Sequence, residues 1–422
     1  MTATAPDLDC DLAIVGGGMV GASLAAALAA LPLDVVVVEA VAPSAPGQPS
    51  FDARTTALSN GTRRILTGLG VWDEVAREAT AIQRIHVSER GRFGSAVIDA
   101  KEQGLDALGY VIENRVLGAA LARRLAGAGR VRLLSPATVT DATIGAEGVA
   151  LGVDGPGGTQ TLRARLVVAA DGAASLVRRE AGVGAEQWDY GQTAIITTIA
   201  PERFHGHVAY ERFTPQGPIA LLPVAARRVG VVWTLAPEAA TRALGLEPGA
   251  FLQELQQAFG WRLGRLTGLG VRHAYPLALT RAESQSAERI AIMGNAAQGL
   301  HPIAGQGFNL GLRDAATLAE VIAERAVADV GDAAVLARYV EWRSADRRSL
   351  IAFTDGLVRL FGSPFAPVRL ARGLGLVLFD LSPTAKSAMS RLSLGFSSRL
   401  PRLARELPLI APSSTLAPGA PP

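Results

Sequence analysis

Hydrophobic and polar positions recur along the chain in two rhythms, and their order predicts an α/β protein. Asp11 to Val15 is an apolar run of the length of a buried strand, and Val35 to Val38 is a second one, ending at Glu39. Between them Ala22 to Leu31 is a run of good helix formers. Thr55 to Leu69, Val116 to Ala126, Phe251 to Phe259 and Asp314 to Ala326 carry the apolar spacing of helices. Period two marks Gln83 to Ser88 and Ser95 to Ile98 as strands on either side of Arg90-Gly91-Arg92. Val131 to Leu134, Gly148 to Val153 and Thr159 to Ala164 predict a β-meander with Gly-rich turns. Leu166 to Ala170, runs between Thr193 and Trp233, and Arg289 to Met293 add further strands.

The turn between the first strand and the first helix is Gly16-Gly17-Gly18-Met19-Val20-Gly21, a G-x-G-x-x-G, and Glu39 follows about 20 positions on. Each residue type has a physical task. Gly16 permits the tight turn, Gly18 lets backbone approach a pyrophosphate, and Gly21 lets the helix pack closely on the strand. The helix start offers free N–H groups and a partial positive charge, which suits a diphosphate. Glu39 can accept hydrogen bonds from both hydroxyls of an adenosine ribose and repels a 2′-phosphate, which favours FAD or NAD over NADP. The motif alone is weak; strand, helix and acid in their places make it specific.

Leu12 to Leu31 is also about 20 residues without a charge, long enough to cross a bilayer. Three consecutive glycines near its start oppose a spanning helix, because each costs roughly 1 kcal/mol inside one. The preceding Asp7, Asp9 and Asp11 are acidic, unlike the basic start of a secretory signal.

Composition narrows the picture. With 422 residues, 49% of them apolar, the chain can build two domains or one large domain with an inserted layer. The net charge of +3 is almost all arginine against acid, since lysine occurs only at Lys101 and Lys386. The cations are dispersed, so no nucleic-acid partner is expected. One cysteine, Cys10, excludes an intrachain disulfide and a multi-cysteine metal site, and the five histidines form no H-E-x-x-H, so no metal is expected. This usage fits a reducing cytoplasm. No second G-x-G-x-x-G gives a nicotinamide cofactor a domain of its own. The tail from Pro401 is rich in Pro and Ser and is expected to be disordered.

Three stretches carry a family resemblance. They are Gly16 to Gly21 with Glu39, Asp171-Gly172 after a buried strand, and the run His301 to Asp314, HPIAGQGFNLGLRD. Together they resemble the single-component FAD-dependent aromatic hydroxylases of the p-hydroxybenzoate hydroxylase fold. The third stretch is similar to the signature of the ubiquinone-biosynthesis hydroxylases, and the likeness extends over roughly residues 10 to 395. FDARTTAL at 51–58, HVSERG at 86–91, ERFTPQGPIALLP at 211–223, FGWRLG at 259–264 and GNAAQGL at 294–300 point to the 2-octaprenyl-6-methoxyphenol hydroxylase branch. Where the wider family has Gly-Asp and a downstream His, this chain has Asn295 and Gln298, as that branch does.

The resemblance implies a Rossmann-type FAD-binding domain with an inserted mixed or antiparallel β-sheet substrate domain and C-terminal helices. The FAD domain would be discontinuous, over 1–75, 100–185 and 275–350. The substrate domain would take 76–99 and 186–274, and a helical region 351–400. Gly16, Gly18, Gly21 and Glu39 would hold the ADP half of FAD. Arg54 and Arg115 stand where the family's flavin-contacting arginines do, and Asp171 belongs to its Asp-Gly motif. Asn295 would bond the ribitol through its amide. Gly305, Gln306, Gly307 and Asn309 would pass close to the isoalloxazine, and His301 and Pro302 would lie near its reactive C4a carbon. Phe213, Gly217 and Pro218 would border the substrate cavity. The implied chemistry uses NADH or NADPH as reductant and O₂ as co-substrate, and hydroxylates a polyprenyl (methoxy)phenol through a flavin C4a-hydroperoxide. Oxygen transfer requires no acid–base pair, and none is assigned.

Blander readings stand beside these. Asp171-Gly172 is also an ordinary strand-end turn, and His301 also reads as a packing histidine. The apolar stretch Leu357 to Phe379, broken by Gly, Pro and three arginines, is either a helical pair covering the cofactor domain or a surface meeting a bilayer or partner proteins. A ubiquinone-biosynthesis complex and a peripheral place at the bacterial inner membrane are the partners the resemblance suggests. The rival readings are another aromatic substrate or ring position, and a non-catalytic flavoprotein scaffold.

Overall fold

A computed structural model describes residues 6–410 except 43, 44, 46, 47, 49, 53, 303, 304, 326–328, 363, 364, 397 and 398. Among the described residues the strands form three sheets. The first is built on the chain's opening. Leu8–Val15 lies between Val35–Val38 and Gly158–Ala169, parallel to both, and Val131–Leu134 and Ile290–Ile292 extend the parallel order outward. Side chains of the central strand alternate, as the period of two requires. Leu12 and Ile14 join the core under the helices Met19–Leu28, Asn114–Ala126 and Gln306–Arg325, whereas Ala13 and Val15 join a second core under the meander. Both faces are covered, which is why Val35–Val38 is four valines, all buried.

The second sheet has nine strands and is largely antiparallel. At its centre Ala185–Pro201 pairs with His273–Ala282 and Arg228–Leu235. The order continues through Gly217–Val224 and Val208–Thr214 to Arg84–Glu89 and Ser95–Asp99. The third sheet, Thr55–Ser59, Gly109–Glu113 and Thr80–Ile82, connects the two.

Several sequence expectations change here. Thr55 to Leu69 is not one helix. Its β-branched start is the strand Thr55–Ser59, and Ser59 caps the helix Asn60–Gly68 by accepting the Thr62 N–H. Val131–Leu134 belongs to the parallel sheet, not the meander, and Gly158–Ala169 is one strand whose two ends serve different pairings. The helix expected at Asp314 begins at Gln306. The boundary at 274/275 falls inside His273–Ala282, and the one at 350/351 falls inside the helix Ala333–Gly362. Long elements cross the seams because one strand or helix can bury a face against each unit. The disorder expected from Pro401 is not what residues 401–410 show: Arg402–Arg405 is a 3₁₀ turn, and Leu403 packs on Gly68. Residues 411–422 lie outside the described residues.

A buried ion network joins the two longest helices. Arg343 Nε is 2.6 Å from Asp314 Oδ1, and Arg343 Nη1 is 2.7 Å from Asp346 Oδ2. Arg313 Nε reaches the same Asp346 at 3.0 Å. Gln298 donates to Asp314 Oδ2 at 2.7 Å, which ties the GNAAQGL turn to the helix Gln306–Arg325. The single helix Ala366–Asp380 then packs on Ser95–Asp99 and closes the molecule's C-terminal side.

Candidate active site

One cavity of about 1550 Å³ runs from the Gly16–Gly21 turn to the space between the nine-stranded sheet and the C-terminal helices. Drug-sized ligands occupy roughly 300–1,000 Å³. The volume therefore suits a large cofactor together with a second molecule.

At the nucleotide end the backbone is shaped by glycine. Gly16 has φ +102°, a conformation side chains rarely adopt, and a Cβ there would strike the Ala170 carbonyl. A Cβ on Gly21 would collide with the Gly16 carbonyl, so only glycine lets the helix Met19–Leu28 sit so close to the turn. Gly18, in extended backbone, faces Ser50, whose Oγ would lie 2.8 Å from an added Cβ. Glu39 closes this end. Its Oε2 accepts the Gly17 N–H at 2.6 Å and its Oε1 the Val41 N–H at 2.9 Å. A carboxylate has about four acceptor sites, so two remain for ribose hydroxyls. Asp171 is on the wall beside it. Its Oδ2 accepts the Leu176 N–H at 2.8 Å, while its buried Oδ1 has no partner among the described residues. That unsatisfied acceptor and the glycine cradle both fit a hydroxyl-bearing dinucleotide.

Midway along the cavity, Arg54 pairs with Asp52 at 2.5 Å and lies over the Tyr275 ring, 4.8 Å from its centroid. Asn295 sits in the 3₁₀ turn Gly294–Ala296, exposed on the wall. Pro302, Gly305, Gln306, Gly307 and Asn309 follow on the same wall. Because the helix starts at Gln306, its unsatisfied N–H groups and positive dipole end point to this middle region. Negative charge on a bound ring is favoured there.

Four predicted residues are placed differently. Arg115 is off the wall, and its guanidinium pairs with Glu113 at 2.7 Å and with Glu78 at 3.9 Å. His301 is buried behind the wall, with Nε2 3.2 Å from Gln192 Oε1 and its ring edge-on to Tyr190. Burial pushes its imidazole down to about 4, so it is uncharged at neutral pH. Gly217 and Pro218, which start a strand after a hairpin turn, are not among the lining residues, while Phe213 is on the wall, stacked on Phe361 with centroids 3.5 Å apart. Asn309 is on the wall with Gly305, Gln306 and Gly307, and its side-chain amide bonds within the protein.

The far chamber is apolar, and of its lining the sequence pointed only to Phe213. Phe361, Leu376, Phe379 and Met389 of the C-terminal helices face Ile98, Leu222 and Val232 of the sheet around it. The Leu357–Phe379 stretch thus covers the cavity rather than the cofactor domain alone. On its other side Leu374, Leu378 and Leu381 are exposed. Among the described residues no helix is long and apolar enough to cross a membrane, and no cluster of acidic, His or Cys side chains forms a metal site.

A glycine-turn dinucleotide cradle joined to an apolar chamber under a second sheet defines a flavoprotein monooxygenase. The chain belongs to the FAD binding domain family, whose pattern matches residues 9–354, and within it to the FAD-dependent ubiquinone-biosynthesis hydroxylases. It is 40% identical over 410 residues to ubiquinone hydroxylase UbiL of Rhodospirillum rubrum, covering 96% of this chain and 94% of that one. It is 34% identical over 393 residues to 3-demethoxyubiquinol 3-hydroxylase of Escherichia coli, covering 91% and 98%. The fold is similar to that of p-nitrophenol 4-monooxygenase PnpA from Pseudomonas putida, at TM-score 0.76 and 19% identity over 93% of this chain and 99% of that one. Its cofactor is FAD.

Proposed function

We propose that the chain uses NADH or NADPH to hydroxylate the ring of a polyprenyl (methoxy)phenol on the route to ubiquinone, with an activity like that of 2-octaprenyl-6-methoxyphenol hydroxylase. The observation that carries the reading is the single cavity with a nucleotide cradle at one end and an apolar chamber at the other.

Bound flavin supplies the redox chemistry, passing electrons from the nicotinamide to O₂ and one oxygen atom to the ring. The residues here do the rest. Gly16, Gly18 and Glu39 hold the ADP half, with Asp171 Oδ1 and the Asn295 amide available for hydroxyls of the cofactor. Arg54 supplies a cation midway. The helix start at Gln306 favours negative charge on the ring system. Phe213, Phe361 and Phe379 keep water from the reacting centre and give a prenyl chain an apolar bed. Without a second dinucleotide motif, the nicotinamide cofactor visits a groove. Arg115, His301, Gly217 and Pro218 are assigned no contact with cofactor or substrate.

The ring position is the finer part of this proposal. The likeness to 3-demethoxyubiquinol 3-hydroxylase favours a second reading, with hydroxylation of a later, methoxylated intermediate. Purified protein should be yellow and should oxidise NADH or NADPH faster when a prenylated phenol is added. Mapping the hydroxyl on the product formed from 2-prenyl-6-methoxyphenol and from a demethoxyquinol separates the two readings. A yellow protein that oxidises neither nucleotide with any phenol would leave a non-catalytic scaffold.

A further inference from the structure

We propose that Glu211 receives the hydroxyl of the substrate's phenol ring, the ring docking on the sheet face with its O–H donating to this carboxylate. The inference rests on the phenol-hydroxylase reading above and adds to it the residue that orients the ring.

The geometry is a single acid in an apolar row. Across the nine-stranded sheet Ala96, Val87, Glu211, Ala220, Val232 and Ile196 are paired in register, and all lie on the cavity wall. Five of these are small or branched apolar residues. Along the strand Val208–Thr214, the neighbours on either side at period two are Ala209 and Phe213, also on the wall. Among the described residues the Glu211 carboxylate makes no hydrogen bond and no ion pair. The other titratable groups of the wall are engaged or distant along the cavity. Glu39 and Asp171 belong to the nucleotide end. Arg54 pairs with Asp52 and covers Tyr275. Arg372 pairs with Glu89 at 2.7 Å. Tyr210, next in the strand, has His86 as its ring neighbour, at 5.7 Å.

An acid without a partner on an apolar face is costly unless a ligand completes it. A prenyl phenol supplies what is missing: one O–H donor on an otherwise apolar body. Burial alone pushes the Glu211 carboxyl up to about 7, so near neutral pH it can both accept a hydrogen bond and hold a proton. As oxygen is delivered to the ring, the phenol O–H bond breaks and a carboxyl O–H bond forms on Glu211. The attacked carbon then gives up its hydrogen as a proton, which balances the proton consumed as the second oxygen atom of O₂ leaves as water with electrons from the nicotinamide. The phenol oxygen takes its own proton back, and the carboxylate is restored.

The test uses the flavin-loaded full chain with 2-prenyl-6-methoxyphenol and its methyl ether, which lacks the O–H. The wild type should bind the phenol, read by perturbation of the flavin spectrum, at least tenfold tighter than the ether. Glu211→Gln should keep its flavin and its melting temperature, lose roughly 10²- to 10⁴-fold in hydroxylation rate, and lose the wild type's rate dependence around pH 7. Equal binding of phenol and ether by the wild type would overturn the proposal, whether or not the variant folds. So would a Glu211→Gln enzyme with unchanged rate and pH profile. If the wild type hydroxylates no phenol at all, the broader reading fails instead.

Discussion

Asn309 Oδ1 accepts the backbone N–H of Ser59 at 2.9 Å, across 250 residues of chain. The same oxygen accepts the Thr62 hydroxyl at 2.7 Å, and the amide nitrogen donates to the carbonyls of Ala57 and Gly305 at 2.9 and 2.7 Å. One side chain thus fastens the Gly305 turn and the helix start at Gln306 to the strand Thr55–Ser59, all on the cavity wall. Asn309→Ala leaves the Ser59 N–H buried and unsatisfied, at a cost of about 1–3 kcal/mol. The variant should melt several degrees lower and release flavin on dilution. Unchanged melting and flavin content would mean that the turn holds itself.

Gly18→Val should yield a colourless protein. The new side chain would press on Ser50 and fill the approach reserved for a diphosphate. Absorbance near 450 nm per mole of protein reads the outcome, and normal flavin content would remove the reading of the loop.

Asp314→Asn leaves Arg343 buried with one weak partner in place of a charge. Breaking a buried pair on one side costs roughly 3–5 kcal/mol. Denaturant unfolding should show a loss of that order, and Asp314→Leu combined with Arg343→Met should recover part of it. A single variant with wild-type stability would show that Asp346 alone satisfies the arginine.

His301 gives a pH signature. Its folded-state value of about 4 lies below the ordinary 6.5. The unfolded chain therefore binds a proton that the folded chain excludes, and stability is complete above pH 6.5 and falls as pH drops towards 4. Between pH 7 and 5 this one group should cost roughly 2 kcal/mol. Denaturant midpoints at the two values should converge more in His301→Gln than in the wild type. Identical pH slopes in the two proteins would contradict the burial argument.

The exposed Leu374 and Leu378 lie just outside the helix wall of the apolar chamber, on a chain stretch, 357–379, with three arginines and no acid, and the exposed Leu381 follows it after Asp380. Contact with an anionic bilayer is the expected use of such a face. Co-sedimentation with vesicles containing phosphatidylglycerol should fall in the triple Leu→Ser variant at unchanged flavin content. Equal co-sedimentation of variant and wild type would count against it.

The nucleotide end was legible because it is local. Gly16, Gly18 and Glu39 lie within about 25 residues, and a strand, a turn and a helix of that size obey short-range backbone rules. The His301–Asp314 signature was legible too, but its expected roles shifted. His301 is turned behind the wall onto Gln192 and Tyr190, because which side of a turn faces a cavity depends on what packs against it. Arg115 follows the same logic: its position in the chain resembles a flavin contact, yet Glu113, two residues away, captures its guanidinium.

By itself the sequence determined the glycine turn, its acid, the alternation of helix and strand, and the family. These follow from backbone conformation and side-chain period, which neighbours in the chain impose on one another. Only the tertiary structure decided that Glu211 stands alone in an apolar row, that the stretch ending at Phe379 roofs the apolar chamber, and that the helix at Gln306 opens onto the cavity. Those relationships join strands and helices more than a hundred residues apart, and register between distant strands is settled by packing, not by local pattern.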